Sequence, residues 1–169
     1  MISAVISPHF MKFFGNDTIS EKIEKLKNVP VFRELTRKEI LVVDALLHER
    51  AYEKDEIIFE EGDVGHGIFI ILDGKVRVKS SSSKLLEKAA PEFGPGEMLG
   101  ELCLFDEAPR NATAVAVERT LAVALFQAEF SSLLTRNKSI GVKVLLEISR
   151  TMSVRIRRLL SHETSLPSV

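Results

Sequence analysis

The sequence predicts an α+β fold: a roll of roughly eight antiparallel strands, jelly-roll-like (a double-stranded β helix), flanked by N-terminal helices and two C-terminal helices. Two observations carry this. Apolar residues recur at helical spacing up to about His48 and again from Gln127 onward. Between them lies a series of short apolar runs broken by turn signals such as "EEGDVG", "LDGK", "SSSSK" and "GPGE". A length of 169 residues is enough for one domain of ordinary size with its own core.

In chain order, "MISAVISPHFMKFF" is apolar but lacks a basic start and a small-residue cleavage site, so it reads as a strand or helix docked on the body. Met1 is not followed by glycine, which argues against a myristoyl anchor. "DTISEKIEKLKNVPVF" places Ile19, Ile23 and Leu26 on one helical face and ends at Pro30. "LTRKEILVVDALLHE" opens with Thr36 and has Glu39 three residues on, a capping box. Ile40, Val43, Leu46 and Leu47 follow on one face, and this predicts a helix ending near His48. The strand region begins at Ala51, and "VAVERTLAVALF" supplies two strands around Glu118 and Arg119. Gly62, Gly74 and Gly96 stand between strands, where a tight turn calls for glycine. "KSSSSKLLEK" predicts a solvent-exposed hairpin tip. "QAEFSSLLTR" and "KSIGVKVLLEISRTMSVRIRRLLSHE" are the two closing helices. The chain divides into an N-terminal helical segment at 1–35, a main domain at 36–162 and a tail at 163–169.

Composition narrows the function classes. With 23 basic and 24 acidic residues, the net charge of −1 gives no global field for a nucleic acid or an anionic membrane, so any anion site must be local. The single cysteine, Cys103, forms no internal disulfide, and no run is long and apolar enough to span a membrane; together these predict a cytoplasmic protein. His9, His48, His66 and His162 lack metal-ligand spacing, and no nucleophile–base pattern is present, so the reading is non-catalytic, with no metal and no cofactor.

"GEMLGELCLFDEAPRNATAVA", residues 96–116, carries the chemistry. Gly100 precedes Glu101 and a stretch short enough for one or two helical turns, whose first N–H groups would face an anion. Glu101 and Arg110 can converge on one small cavity through the turn at Pro109. Spacing alone leaves two readings, a buried ion pair that ties helix to strand or a ligand site. Cys103 reads as a small buried residue without a redox role.

These residues resemble the cyclic-nucleotide-binding domains of cAMP-dependent protein kinase regulatory subunits, the bacterial catabolite activator protein and cyclic-nucleotide-gated channels. The resemblance runs from about Val31 to Leu160. It rests on "FEEGDVGHGIFIILDGKVRV" and on "GPGEMLGELCLFDEAPRNATAVA", which is similar to the family's phosphate-binding cassette. The resemblance implies that Glu101 accepts from the ribose 2′-hydroxyl and Arg110 clamps the cyclic phosphate. A paired-donor guanidinium suits a singly charged phosphate. Gly100, the backbone N–H groups of Leu102, Cys103 and Ala112, and the Asn111 amide complete the expected ligand set. Asn111 departs from the family's alanine, serine or threonine and can serve either purine, and Leu99 replaces a phenylalanine. The resemblance implies cAMP or cGMP as the ligand, with cAMP favoured by its frequency in the family.

From Val142 to Leu160 the last helix carries Val142, Leu145, Met152, Ile156 and Leu159 in a seam that Val144, Ile148 and Leu160 widen. That width predicts a homodimer contact over residues 142–160, with Leu145 or Met152 as an aliphatic lid on the purine. "RTMSVRIRR" reads as a solvated face. Three classes follow: a cyclic-nucleotide sensor that signals through this helix to an unidentified downstream protein, a ligand-independent dimerisation or docking module of the same fold, and a fragment of a catabolite-activator-type transcription regulator. A helix-turn-helix would have to follow the long helix in the third, and the sequence ends at Val169, so no nucleic-acid or membrane partner is expected.

Overall fold

The computed structural model of the chain describes residues 19–83, 90–106 and 108–163. Two helices come first, α1 (Ile19–Lys27) and α2 (Arg37–Asp44), separated by a 3-10 turn at Pro30–Phe32. Eight strands follow: β1 (His48–Tyr52), β2 (Ile57–Phe59), β3 (Gly67–Asp73), β4 (Val76–Lys79), β5 (Glu92–Phe93), β6 (Met98–Leu99), β7 (Thr113–Ala116) and β8 (Thr120–Phe126). The described residues close with α3 (Gln127–Arg136) and α4 (Lys138–Glu163). The strands form two antiparallel four-stranded sheets, ordered β1-β8-β3-β6 and β2-β7-β4-β5, as the α+β roll requires.

The sequence dictates how the roll closes. β8, "TLAVALF", is buried along almost its whole length because it lies between β1 and β3 and is covered on both faces. Val123 and Leu125 join Ile68 and Ile70 of β3 in the core shared with the helices, while Ala122 turns inward with Ala116 and Tyr52. Alternation with period two sorts these residues, and the small alanines let the two sheets approach. The helix-side core contains Ile23 and Leu26 of α1, Phe32, Ile40 and Val43 of α2, Phe130 and Leu133 of α3, and Val144 and Ile148 of α4. A third cluster comprises Ile71, Val76, Val78, Leu99, Ala112 and Ala114, with Ile58, Phe59 and Phe93 against it.

Polar ties fix α4 on this body. The capping box at α2 is present, and the same Glu39 carboxylate receives Lys143 Nζ of α4 at 2.8 Å. Lys143 and then the Thr36 backbone hold the Glu39 carboxyl below its ordinary range. Glu147, fully buried in α4, is bound by Arg33 at 3.1 Å and by Arg150.

The structure corrects two readings. α2 stops at Asp44, and His48 opens β1, because "ALLHE" continues the apolar run after the helical hydrogen bonds have ended. The serine run is not free at its start: Glu61 accepts from the side chains of Ser80, Ser81 and Ser82 and from the backbone N–H groups of Ser81 and Ser82. The apolar stretch at 1–14 and the far side of the hairpin at 84–89 lie outside the described residues.

These serine bonds, the Ser82 hydroxyl foremost and then the Ser81 N–H, lower the Glu61 carboxyl from 4.5 to about 2. A depressed carboxylate stabilises the fold above its unfolded value, and the contribution is lost as pH falls from 4.5 through about 2. Glu61→Gln should therefore unfold at lower urea than the parent at neutral pH, and the two midpoints should converge as the pH is taken down through that window.

Candidate functional site

Between β6 and β7 the chain makes a loop whose course is set by one side chain. Gly100 lies at φ +75, a left-handed conformation that glycine adopts without strain. The following segment forms a single 3-10 turn, Leu102–Leu104, the lower end of the one or two helical turns the spacing allowed. The N–H groups of Leu102, Cys103 and Ala112 have no backbone acceptor among the described residues. They remain free to meet an anion.

Arg110 is 7% exposed and sits at the centre. Its Nη1 donates to the Gly100 carbonyl at 3.1 Å and its Nη2 to the Gly67 carbonyl at 2.9 Å. The guanidinium lies over Phe59, 4.4 Å from the ring centroid, with Phe69 at 5.8 Å. Among the described residues no carboxylate is paired with it. Of the five N–H donors a guanidinium carries, these two bonds leave three for a further acceptor. Its space depends on two glycines: a Cβ on Gly100 would lie 2.0 Å from Arg110 Nη1, and one on Gly65 would lie 2.9 Å from Nε and 2.5 Å from Cys103 Sγ.

The Glu101–Arg110 ion pair that spacing allowed does not form. Glu101 instead receives Arg155 Nη1 of α4 at 2.6 Å, while Arg155 Nη2 donates to the Met98 carbonyl at 2.5 Å. Glu101 and Arg110 are thus divided, with Glu101 tied to α4 and Arg110 held by backbone carbonyls.

A cavity of about 390 Å³ opens beside them. Gly100, Glu101, Leu102, Cys103, Arg110, Asn111 and Ala112 all line it, and so does Met152 of α4. Leu145 does not: it packs against the helix-side core, because α4 crosses the cavity only in its C-terminal half, two turns further on. Phe59, Val78, Ser83, Phe93, Leu99, Arg155 and Ile156 also line the cavity, and the sequence reading assigned none of these to the ligand set. Phe59 and Phe93 place aromatic rings in the cavity from the roll rather than from the helix. Arg155 corrects the reading of "RTMSVRIRR" as a wholly solvated face. The seam divides as well. Met152 faces inward with Leu145, Val144 and Ile148 are buried, and Val142 and Ile156 are exposed with Leu146, Val154 and Leu160. The side chain of Leu159 lies outside the described residues.

Residues 49–137 match the family described as cyclic nucleotide-binding domain. The cyclic AMP receptor protein of Thermus thermophilus is 35% identical over 111 residues, covering 66% of this chain and 51% of its own. The chain therefore spans about half the length of that relative. Among solved structures, a cyclic nucleotide-binding domain from Methylobacillus flagellatus superposes with a TM-score of 0.76 at 22% identity, over 88% of this chain and 87% of that one. At that identity the likeness is one of fold. The Thermus thermophilus catabolite activator protein superposes with a TM-score of 0.66 at 29% identity, over 80% of this chain and 62% of that one.

Removing the Arg110 side chain leaves the Gly67 carbonyl, buried among β3 and the cassette, without its donor. An unmet buried acceptor costs about 1–3 kcal/mol. Arg110→Ala should lower the unfolding free energy of the ligand-free protein by about that amount, read from urea denaturation at pH 7.

Proposed function

The chain belongs to the cyclic nucleotide-binding domain family, and on that premise we propose that it is a non-catalytic sensor. It binds a cyclic nucleotide, cAMP in preference to cGMP, and signals through α4 to a downstream protein in the cytoplasm. One observation carries the reading: a buried guanidinium with three uncommitted N–H donors and no paired carboxylate among the described residues faces a cavity of nucleotide size. A cyclic phosphate supplies the missing negative charge. It brings two exocyclic oxygens, which match a fork of donors better than a point charge. The N–H groups of Leu102, Cys103 and Ala112 add neutral donors beside it. Glu101 borders the same cavity with a carboxylate able to accept from a sugar hydroxyl. Apolar surface from Phe93, Val78, Leu99, Met152 and Ile156 suits a purine. The preference for cAMP follows the Thermus relative, whose name is a cyclic AMP receptor. Asn111, exposed at the rim, can donate and accept and so discriminates little between the bases.

Titration calorimetry with cAMP and cGMP tests this. Both nucleotides should bind, cAMP more tightly. Loss of the phosphate clamp in Arg110→Ala costs about 3–5 kcal/mol, as for a broken buried pair, which is two to four decades in Kd at about 1.4 kcal/mol each. Asn111→Thr should move the ratio towards cGMP. Absence of binding by the folded parent at about 1 mM of either nucleotide would leave the ligand-independent module as the reading.

α4 supports a second copy as its partner. Val142, Leu146, Ser149, Ser153, Ile156 and Leu160 follow one another at alternating steps of four and three, and all six are exposed. This is the spacing by which two identical helices interlock, with the two serines allowing close approach at the middle. Light scattering should give a dimer mass, and Ile156→Glu, which puts a charge on the seam, should give a monomer.

A further inference from the structure

A second cavity, of about 240 Å³, opens between the 3-10 turn at Pro30, the β5–β6 turn and α4, and among the described residues it shares only Arg155 with the cavity beside Arg110. Arg33, Arg150, Arg155 and Arg158 line it against one carboxylate among the described residues, Glu97. That carboxylate is committed to its own turn, where Oε2 accepts from the Gly94 N–H at 2.8 Å. Gly96 fixes the wall: at φ +84 it brings the turn so close to Pro30 that a Cβ would lie 3.2 Å from Pro30 Cδ.

Two of these arginines are held as a pair. Arg33 Nε lies 3.1 Å from Glu147 Oε2, and Arg150 Nη1 binds Glu147 Oε1, so one carboxylate sets two guanidiniums side by side, one oxygen to each. The side chain of Glu147 is 1% exposed, whereas those of Arg33 and Arg150 are 58% and 64% exposed. The counter-charge is therefore sealed in the core while both cations border the cavity, and one positive charge of the pair is unmatched. Arg33 also gives its Nε–H to the Pro30 carbonyl at 3.2 Å. Of the five N–H donors on a guanidinium, Arg33 thus engages one and Arg150 one among the described residues, which leaves four on each. Arg155 is matched by Glu101, and Arg158 lines the same cavity about two turns beyond Arg150.

We infer that this cavity is a second anion site, separate from the one built around Arg110, and that it takes a pyrophosphate group on Arg33 and Arg150. A guanidinium fork pairs with two oxygens of one phosphoryl group, so two forks side by side match two adjacent phosphoryl groups. No aromatic residue lines the cavity among the described residues, and its apolar floor is Pro30, Val31, Met98 and Val154. It therefore selects for charge rather than for a stacked base. A pyrophosphate carries more negative charge than a cyclic phosphate and answers the unmatched cation directly. The site does not depend on the cyclic-nucleotide reading, because no donor of the pair borders the other cavity.

The test is titration calorimetry with inorganic pyrophosphate, and with phosphate and sulfate for comparison, at constant ionic strength because exposed charges are screened by salt. Pyrophosphate should saturate one site with a Kd below about 1 mM and bind about tenfold more tightly than either single anion. Arg150→Ala should weaken it about ten- to a hundredfold, the fold-change of a lost charge-assisted hydrogen bond, while still binding cAMP as the parent does. Arg150→Ala leaves the buried Glu147 with one cation, so thermal unfolding checks that it is folded. Glu147→Gln keeps both arginines and removes the carboxylate that competes for them, and it should bind pyrophosphate more tightly than the parent. Arg110→Ala should bind pyrophosphate as the parent does, which locates the site outside the other cavity. The inference is overturned by heats that do not saturate at about 10 mM, by parental affinity in Arg150→Ala, by unchanged or weaker binding in folded Glu147→Gln, or by loss of binding in Arg110→Ala.

Discussion

Arg110 puts a full positive charge where its side chain is 7% exposed, and the surrounding chain is arranged to tolerate that charge without a carboxylate among the described residues. Two backbone carbonyls accept from it and two phenylalanine faces flank it. Both carbonyls belong to glycines, Gly67 in β3 and Gly100 in the cassette, so the guanidinium staples the loop to the first sheet. The steric side is equally strict: a Cβ at Gly65 or Gly100 would collide with the guanidinium or with Cys103 beside it. Carbonyl dipoles only partly offset the desolvation of a cation. The site is therefore left short of negative charge, and an anion in the cavity completes it.

The long helix joins this local chemistry to the rest of the molecule. Its inward face, Val144 and Ile148, is part of the same core as α1, α2 and α3 and cannot shift without opening that core. The Glu147–Arg33 ion pair and the Lys143–Glu39 hydrogen bonds add polar ties in the same half. Beyond Ser149 the burial falls away, and the contacts with the roll pass to Met152, Arg155 and Ile156, all of which border the cavity. Half of the helix is thus built as framework, and the other half is held largely by residues that border the cavity.

Much of this was legible in the sequence because it depends on local rules. The capping box at Thr36 and Glu39, the turn glycines with positive φ, and the bounds of α3 and α4 follow from hydrogen-bonding and steric preferences over a few residues. The cassette residues converge on one cavity because they lie within a short loop. What escaped reading depends on long-range placement. Glu101 and Arg155 are 54 positions apart, and no periodicity links them. Leu145 and Met152 share a helical face, but a face does not say where along its length a helix crosses a cavity. Phe93 sits in a two-residue strand too short to announce which way its ring points. The α2 boundary failed for the converse reason: the apolar residues after Asp44 keep helical spacing while the backbone has already turned towards β1.

The same stretch of α4 serves two surfaces, and this limits how independent they can be. Ile156 lines the cavity yet is 53% exposed on the side where the seam runs, one residue from Arg155. A ligand packed against Ile156 would touch a side chain that also belongs to the proposed contact with a second copy. Linkage then makes the effect reciprocal: whatever factor dimerisation applies to nucleotide affinity, the nucleotide applies to dimerisation. Its size is bounded by the differential contact energy that this short stretch can supply, typically about 1–3 kcal/mol, or five- to 150-fold. Such a coupling needs no pathway through the core, because both binding events act on adjacent residues of one helix whose other half stays fixed.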